Sequence, residues 1–318
     1  MISRRTLLAA TAALPLAAHA SAAFPTKPIS LWVPWPAGGA TDLTLRLLAE
    51  LAGKQLGQKV LIENRAGAGG TLAMPVLQQA VPDGYTIAQL PQTALRMPWT
   101  QKVSWDPIRD TTPILQLSGV TFGLVVPAAS PVRSLDELFA LMKAKPGAVT
   151  VATNGVGTTP HLVMDELTGA RGLTYVHVPF KGTAEQMLAV ASGQVMAGVN
   201  SNGFAPFVQS GKLRLIATTG AQRSRHWPEV PTLKELGFPI VATSPYGLVA
   251  PRGLPAPILQ ALHDAFKAAL LDPQHVAELA KYEQDPLYLD SAAYGAALKT
   301  AYAAEGAAMK RLGLARAA

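Results

Sequence analysis

The chain contains no cysteine among its 318 residues. Disulfide bonds and thiol chemistry are therefore excluded, and in an oxidising compartment the fold must be held together by packing. Beyond the N-terminus, no apolar stretch is long enough to form a transmembrane helix. Runs of lysine or arginine are also lacking, and the formal net charge of +7 is spread thinly along the chain. A nucleic-acid partner is therefore not expected.

Motifs of the common enzyme classes are missing as well. The glycine-rich stretch 67–72 lacks the third glycine of a dinucleotide fingerprint, and 155–160 has Pro160 in its place. There is no Gly-x-Ser-x-Gly elbow, no Gly-x-x-x-x-Gly-Lys phosphate loop and no two-histidine metal spacing. We expect no cofactor, no metal site and no catalytic residue. An unrecognised hydrolase or lyase stays as an alternative, because a cleft with aspartate and histidine can support proton transfer.

The N-terminus has the pattern of a bacterial export signal. Arg4 and Arg5 precede an apolar core over 7–18, and small residues suited to cleavage follow at Ala20 and Ala22. The pattern predicts a signal peptide over 1–22 and a periplasmic location. Paired arginines fit both a twin-arginine signal and an ordinary Sec signal, so the export route stays open.

Short β-branched or apolar runs alternate with segments of helical period, which is typical of doubly wound α/β folds. The first such unit is a strand over Ile29–Val33, followed by a helix that Thr41 is predicted to cap and that ends before Gly57. Leucines 43, 47, 48 and 51 are predicted to share one face of this helix. Later strands are predicted over 60–63, 85–90, 122–126, 149–153, 175–178, 195–199, 213–217 and 247–250.

The C-terminal part is predicted to be helical over 257–270, 274–282 and 291–311. A single compact domain of more than about 250 residues is uncommon. We therefore predict two lobes, the first formed by 23–123 together with 246–318 and the second by 124–245. The C-terminal helices are assigned to the first lobe because they would otherwise have no sheet to cover.

Two strand-to-helix loops, one in each predicted lobe, form the candidate binding site. The first loop (34–42) and the second loop (153–161) contain glycines and hydroxyl residues and end at a helix start, whose free N–H groups attract anions. Both leave the carboxyl ends of strands, where open α/β sheets bind ligands. Neither loop contains lysine or arginine, so backbone N–H groups are predicted to hold the anion. The candidate ligand-binding residues are Trp35, Pro36, Ala37, Gly38, Gly39, Ala40, Thr41, Asp42, Asn154, Gly157, Thr158, Thr159, His161 and Lys181.

Four of these candidates have two alternative roles each. Asp42 either caps the start of its own helix, which the helix dipole favours, or receives a ligand hydroxyl or a water. His161 donates either to a carboxylate or to a backbone carbonyl. Lys181 either lines the cleft or is solvated, and Trp35 either forms the floor of the pocket or belongs to its rim or to the core.

Several motifs follow one another in a recognisable order. They are Phe24–Ile29, the Gly-Gly-x-x-Asp sequence ending at Asp42, Glu63–Gly70, Pro82–Tyr85, Pro179–Gly182 and Pro228–Thr232. This succession resembles the substrate-binding components of tripartite tricarboxylate transporters, also called the Bug or TctC-like family, over nearly the whole mature chain. Two positions depart from the family pattern, with Phe180 where tyrosine is usual and Trp105 where Tyr-Asp-Pro normally begins.

The resemblance implies a two-lobed α/β structure of the type II periplasmic-binding-protein fold. Each lobe would be a mixed sheet flanked by helices, with the ligand in the interlobe cleft. It also implies a carboxylate ligand and delivery to a two-component membrane permease.

The resulting hypothesis is a monomeric periplasmic solute-binding protein for a small organic carboxylate, either a di- or tricarboxylate or an aromatic acid. Its two lobes are expected to close around the ligand, because each loop belongs to a different lobe. A carboxylate sensor that presents its loaded form to a receptor is an alternative that would share every one of these residues.

Overall fold

The computed structural model describes residues 24–316, so the predicted signal peptide lies outside the described residues. Within them, no helix has the length and apolar character needed to cross a membrane. The strands are β1 (Ile29–Val33), β2 (Val60–Asn64), β3 (Thr86–Leu90), β4 (Thr111–Pro127), β5 (Thr150–Thr153), β6 (Val176–Pro179), β7 (Ala197–Ser201), β8 (Leu213–Thr218), β9 (Thr243–Pro251) and β10 (Pro286–Leu289). The helices are α1 (Ala40–Leu56), α2 (Ala73–Gln79), α3 (Gln92–Thr100), α4 (Leu135–Ala144), α5 (Thr159–Gly169), α6 (Thr183–Ala191), α7 (Ala205–Gln209), α8 (Ala256–Leu270), α9 (Pro273–Ala280) and α10 (Ser291–Arg311).

The long strand β4 joins two parts of the sheet. Its residues 111–121 pair with β9, and its residues 122–127 pair with β7 and β8, always antiparallel. We call β2-β1-β3-β9-β4-β10 the first half-sheet and β8-β4-β7-β5-β6 the second half-sheet. Each contains parallel pairs beside antiparallel ones, which confirms the predicted mixed sheets with flanking helices. The predicted lobe boundaries at 123 and 245 fall inside β4 and β9 and stay a prediction.

The largest hydrophobic cluster runs through both half-sheets. Leu31 in β1, Leu124 in β4 and Val151 in β5 all belong to it and are almost fully buried. A smaller cluster around Met187 lies beside the second half-sheet, and another around Tyr294 lies beside the first. Among the C-terminal helices, α8 packs on α1 and α10 packs on α3. These helices therefore cover the first half-sheet.

Helix α1 differs in detail from its prediction. Its N-cap is Gly39, which has an extended backbone (φ −81°, ψ 164°), whereas Thr41 lies inside the first turn. The buried leucines include Leu45 and Leu48, while Leu43 is 38% exposed. The predicted face was therefore right for Leu48 and Leu51, which are buried, and wrong for Leu43, because the core stripe contains Leu45, which the leucine spacing omitted.

Other elements extend or add to the predicted ones. Strand β4 is much longer than the predicted 122–126, and α2, α3 and β10 were not predicted. Gly57 ends α1 in the left-handed conformation (φ 67°), as the sequence predicted.

Candidate functional site

The first and second loops face each other across one cleft. Pro36 and Gly39 of the first loop line it together with Asn154 and Thr158 of the second. The contact between the two sides is tight, because a Cβ built on Gly182, at the start of α6, would lie 2.6 Å from Cγ of Pro36. Residues from both half-sheets thus enclose the same space.

Four helices begin at this cleft. The residues that line it from the first turns or caps of α1, α3, α5 and α6 are Gly39, Thr41, Pro91, Gln92, Thr93, Thr158, Thr159, Pro160 and Thr183. The first-turn N–H groups of a helix have no acceptor within that helix, and the helix dipole adds roughly half a positive charge at each start. The cleft therefore concentrates positive potential that comes from the backbone.

The caps of these four helices leave their N–H groups available. The N-cap residues Gly39, Pro91, Thr158 and Gly182 make no side-chain capping hydrogen bond. Of the helices that do not contribute to the cleft, α4, α9 and α10 are capped by the side chains of Ser134, Asp272 and Asp290, whereas α2, α7 and α8 have no side-chain cap. A bound anion can supply the acceptors that the side chains do not.

The described residues that line the cleft include no lysine, arginine, histidine, aspartate or glutamate. Apart from the helix starts, its polar side chains are neutral and include those of Gln89, Asn154, Ser201, Ser244 and Tyr246. Burial raises the pKa of Tyr246 to about 12, and its hydroxyl donates to Oε1 of Gln284 at 2.7 Å. Oε1 of Gln89 is buried without a hydrogen-bond partner among the described residues, so it can accept a hydrogen bond from a hydroxyl group in the cleft.

Asp42 holds the first loop in place. Its carboxylate is 1% exposed and accepts hydrogen bonds from Gly38 N (2.8 Å), Arg46 Nε (2.9 Å) and Asn64 Nδ2 (2.7 Å). Burial raises the pKa of Asp42, but the hydrogen bonds from Arg46, Asn64 and Gly38 outweigh it and bring the pKa below its ordinary value. Asn64 Nδ2 also donates to the carbonyl of Trp35 (2.9 Å). Asp42 therefore orders the loop behind the cleft.

The second loop is fixed by two histidines outside the cleft. Gly157 N donates to Nδ1 of His161 at 3.1 Å, so Nδ1 is an acceptor for backbone, and Nε2 of His161 lies 3.5 Å from the carboxylate of Asp165. Its ring stacks on His177, with the centroids 4.0 Å apart, and Nε2 of His177 lies 2.6 Å from Oγ1 of Thr153. Burial, followed by the neighbouring His161, lowers the pKa of His177 to about 4. The pair is a rigid support for the loop.

The structure brings about half of the predicted residues to the cleft. Trp35, Pro36, Gly39, Thr41, Asn154, Thr158 and Thr159 line it, whereas Ala37, Gly38, Ala40, Asp42, Gly157, His161 and Lys181 do not. Ala37, Gly38 and Lys181 are exposed, and Asp42 lies behind the loop. Sequence reasoning missed Gln89, Pro91, Gln92, Thr93, Val120, Phe122, Pro160, Thr183, Ser201, Ser244 and Tyr246. The order strand, Pro91, then two polar residues at a helix start was a usable signal for Gln92 and Thr93.

Comparison with known proteins gives a consistent result. Residues 44–314 match the family described as "Tripartite tricarboxylate transporter family receptor". The Cupriavidus necator protein named "UPF0065 protein in gbd 5'region" is 46% identical over 320 residues, covering 99% of this chain and 98% of that protein. Among solved structures, periplasmic binding protein BugD has a TM-score of 0.87 at 28% identity, covering 92% of this chain and 100% of BugD. MatC from Rhodopseudomonas palustris with bound malate has a TM-score of 0.82 at 27% identity, covering 89% and 99%.

Proposed function

This chain belongs to the tripartite tricarboxylate transporter receptor family, a family of solute-binding proteins, and on that premise we propose that it captures a small organic carboxylate and delivers it to a membrane permease. The observation that carries this proposal is the convergence of four helix starts without side-chain caps on a cleft lined by no charged side chain. We further propose that it acts as a monomer in the periplasm and catalyses no reaction on its ligand.

Backbone N–H groups hold the carboxylate in this proposal. Hydrogen bonds to a charged acceptor contribute about 1.5–3 kcal/mol each, and micromolar affinity needs about 8 kcal/mol. Three to five such bonds therefore suffice without a basic side chain. The nearest candidate cation named from the sequence, Lys181, is exposed and does not line the cleft.

A dicarboxylate fits the site better than a monocarboxylate. Each carboxylate can bond to the N–H groups of one or two helix starts, and four helix starts face the cleft. The malate bound to MatC is such a ligand. In this chain the unpartnered Oε1 of Gln89 offers an acceptor for a hydroxyl group of the ligand. We therefore propose a hydroxylated dicarboxylate of malate size as the preferred class.

Ligand capture closes two lobes in this proposal. The lobes are 23–123 with 246–318, and 124–245, and each supplies one of the two loops. β4 crosses the boundary at 123 and β9 crosses the boundary at 245, so a bend in these two strands is the simplest hinge. The close approach of Gly182 to Pro36 then belongs to the closed form.

Gly39→Val tests the backbone account of binding. Gly39 has an extended backbone that valine adopts readily, and a Cβ there would lie 3.8 Å from Cβ of Thr183. Alanine therefore fits, whereas the two further methyl groups of valine would fill the gap that the ligand must enter. We expect Gly39→Ala to bind malate within threefold of the parent and Gly39→Val to bind it about 100-fold more weakly, which corresponds to two lost hydrogen bonds or about 3 kcal/mol.

Isothermal titration calorimetry with malate, citrate and benzoate measures these affinities, and circular dichroism verifies that both variants fold. Lys181→Ala serves as the matched cation control and should change affinity by less than about tenfold, or ~1.4 kcal/mol. If Lys181→Ala abolishes binding while Gly39→Val retains it, an ion pair holds the ligand instead. NMR of malate after prolonged incubation would reveal turnover, which would favour the enzyme alternative.

A further inference from the structure

Arg96 in α3 is a buried cation that the proposed binding mode does not use. It is 5% exposed, and its Nε and Nη2 donate to the two carboxylate oxygens of Glu305 in α10 at 2.6 and 2.9 Å. The amide of Gln92, which lines the cleft, also donates to Glu305 (2.8 Å). The charge of Arg96 is thus neutralised by a two-pronged ion pair beside the first half-sheet.

The same guanidinium also reaches the second loop. Its Nη1 donates to the carbonyl oxygen of Gly157 at 2.7 Å, and its Nη2 lies 3.3 Å from Oγ1 of Thr159. Glu305 belongs to the predicted first lobe, whereas Gly157 and Thr159 belong to the second. The Arg96 guanidinium therefore bridges the two sides of the cleft, with Nε and Nη2 bonded to Glu305 and Nη1 bonded to Gly157.

We propose that Arg96 is a closure clasp, meaning a side chain anchored by Glu305 that holds the second loop against the first lobe and so slows ligand release. This inference rests on the proposed function, since it assumes that the cleft opens and closes. The geometry suits a reversible contact. When the lobes separate, Glu305 still neutralises Arg96, and the Gly157 carbonyl and the freed N–H groups can bond to water.

The clasp also connects two cleft residues. Gln92 and Thr159 line the cleft from opposite sides, and each contacts a member of the Arg96–Glu305 pair. Glu305 holds the Gln92 amide within the first lobe, and closing the clasp fixes the Thr159 hydroxyl on the opposite side of the cleft. Arg96 acts through these groups and is a positioning residue, because it does not itself line the cleft.

Arg96→Lys tests the clasp. A lysine ammonium can pair with Glu305, but it lacks the fork needed to bond Glu305 and Gly157 at once. We expect malate to dissociate about 10- to 100-fold faster, which is the effect of losing one charge-assisted hydrogen bond, with an association rate changed by less than about threefold. Arg109→Lys is the matched control, because Arg109 pairs with Asp110 at 2.6 Å and does not line the cleft.

A second measurement needs no ligand. The chain has no cysteine, so spin labels can be attached to new cysteines at Leu72 and Val156, which are 43% and 68% exposed. These positions flank the seam, since a Cβ on Gly69 would lie 3.8 Å from the carbonyl oxygen of Val156. Pulsed electron paramagnetic resonance on the ligand-free protein should show a smaller fraction of short, closed-form label distances in Arg96→Lys than in the parent or in Arg109→Lys.

Label distances in Arg96→Lys that equal those of the parent would overturn the clasp. If Arg96→Lys fails to fold, the double variant Arg96→Gln/Glu305→Gln replaces the buried ion pair by a neutral amide pair and is judged by the same distances. The proposed function and the clasp are refuted by different results. Absence of carboxylate binding by the parent would refute the proposed function, whereas unchanged distances would refute the clasp even where malate binds.

Discussion

Replacing Asp42 by alanine removes the group that orders the first loop. Its buried carboxylate accepts three hydrogen bonds of 2.7–2.9 Å, from Gly38, Arg46 and Asn64. At about 1.5–3 kcal/mol for each bond to a charged group, the gross contribution is about 5–9 kcal/mol. Much of this free energy is recovered in the variant, because the Arg46 side chain is 45% exposed and forms hydrogen bonds to water instead. We therefore expect a net loss of about 3 kcal/mol in the free energy of unfolding.

Urea denaturation followed by circular dichroism at pH 7 measures this loss. Asp42→Asn keeps the shape and one acceptor oxygen, but its amide NH2 faces at least one of the three donors, so it should lose about 2 kcal/mol. The lowered pKa of Asp42 adds a pH dependence. The carboxylate stabilises the fold above the ordinary aspartate pKa, and this contribution is lost as the pH falls through the lower pKa of the folded state. The difference in stability between the parent and Asp42→Ala should accordingly shrink in acid.

The opposite pattern would refute this account of Asp42. If Asp42→Ala unfolds at the same urea concentration as the parent but no longer binds malate, the carboxylate contacts the ligand directly. Other contacts would then hold the conformation of the first loop. Asp42 would instead act as an acceptor for a ligand hydroxyl, which is its alternative role.

Two further predictions concern closure and pH. Gly182→Ala should leave the free energy of unfolding nearly unchanged, because the backbone of Gly182 is extended (φ −158°). It should nevertheless weaken malate binding at least about tenfold, since the new Cβ would lie 2.6 Å from Cγ of Pro36. Unaltered affinity in calorimetry would argue against this contact in the ligand-bound form. The pKa of His177 falls from 6.5 to about 4 on folding. Between these pH values His177 is protonated in the unfolded chain but not in the folded chain. The free energy of unfolding therefore declines as the pH drops through this window. His177→Gln should therefore lose less melting temperature than the parent between pH 7 and pH 5, and equal losses would contradict the role of burial.

Sequence patterns predicted those elements whose signals are local. The strand Ile29–Val33 was found from its own apolar run, and Gly57 was found from its place directly after the last leucines of the helix, so both signals lie within a few residues. Helix α3 was missed because it is short, contains Pro98 and has polar residues in its first turn. Strand β4 was underestimated because Pro113 and Gly119 interrupt its apolar pattern, although both lie within the pairing with β9.

The sequence by itself determined the two glycine-rich loops, the absence of a basic residue in either of them, and the family to which the ordered motifs belong. Only the tertiary structure decided that the starts of α3 and α6 join the same cleft, that Asp42 and His161 support the loops from behind, and that Arg96 reaches Gly157. The physical reason is the range of the interactions. A loop conformation depends on residues a few positions apart, whereas Arg96 bonds to Gly157 and Glu305 across 61 and 209 positions, so these contacts form only after the topology of the sheet has brought the segments together.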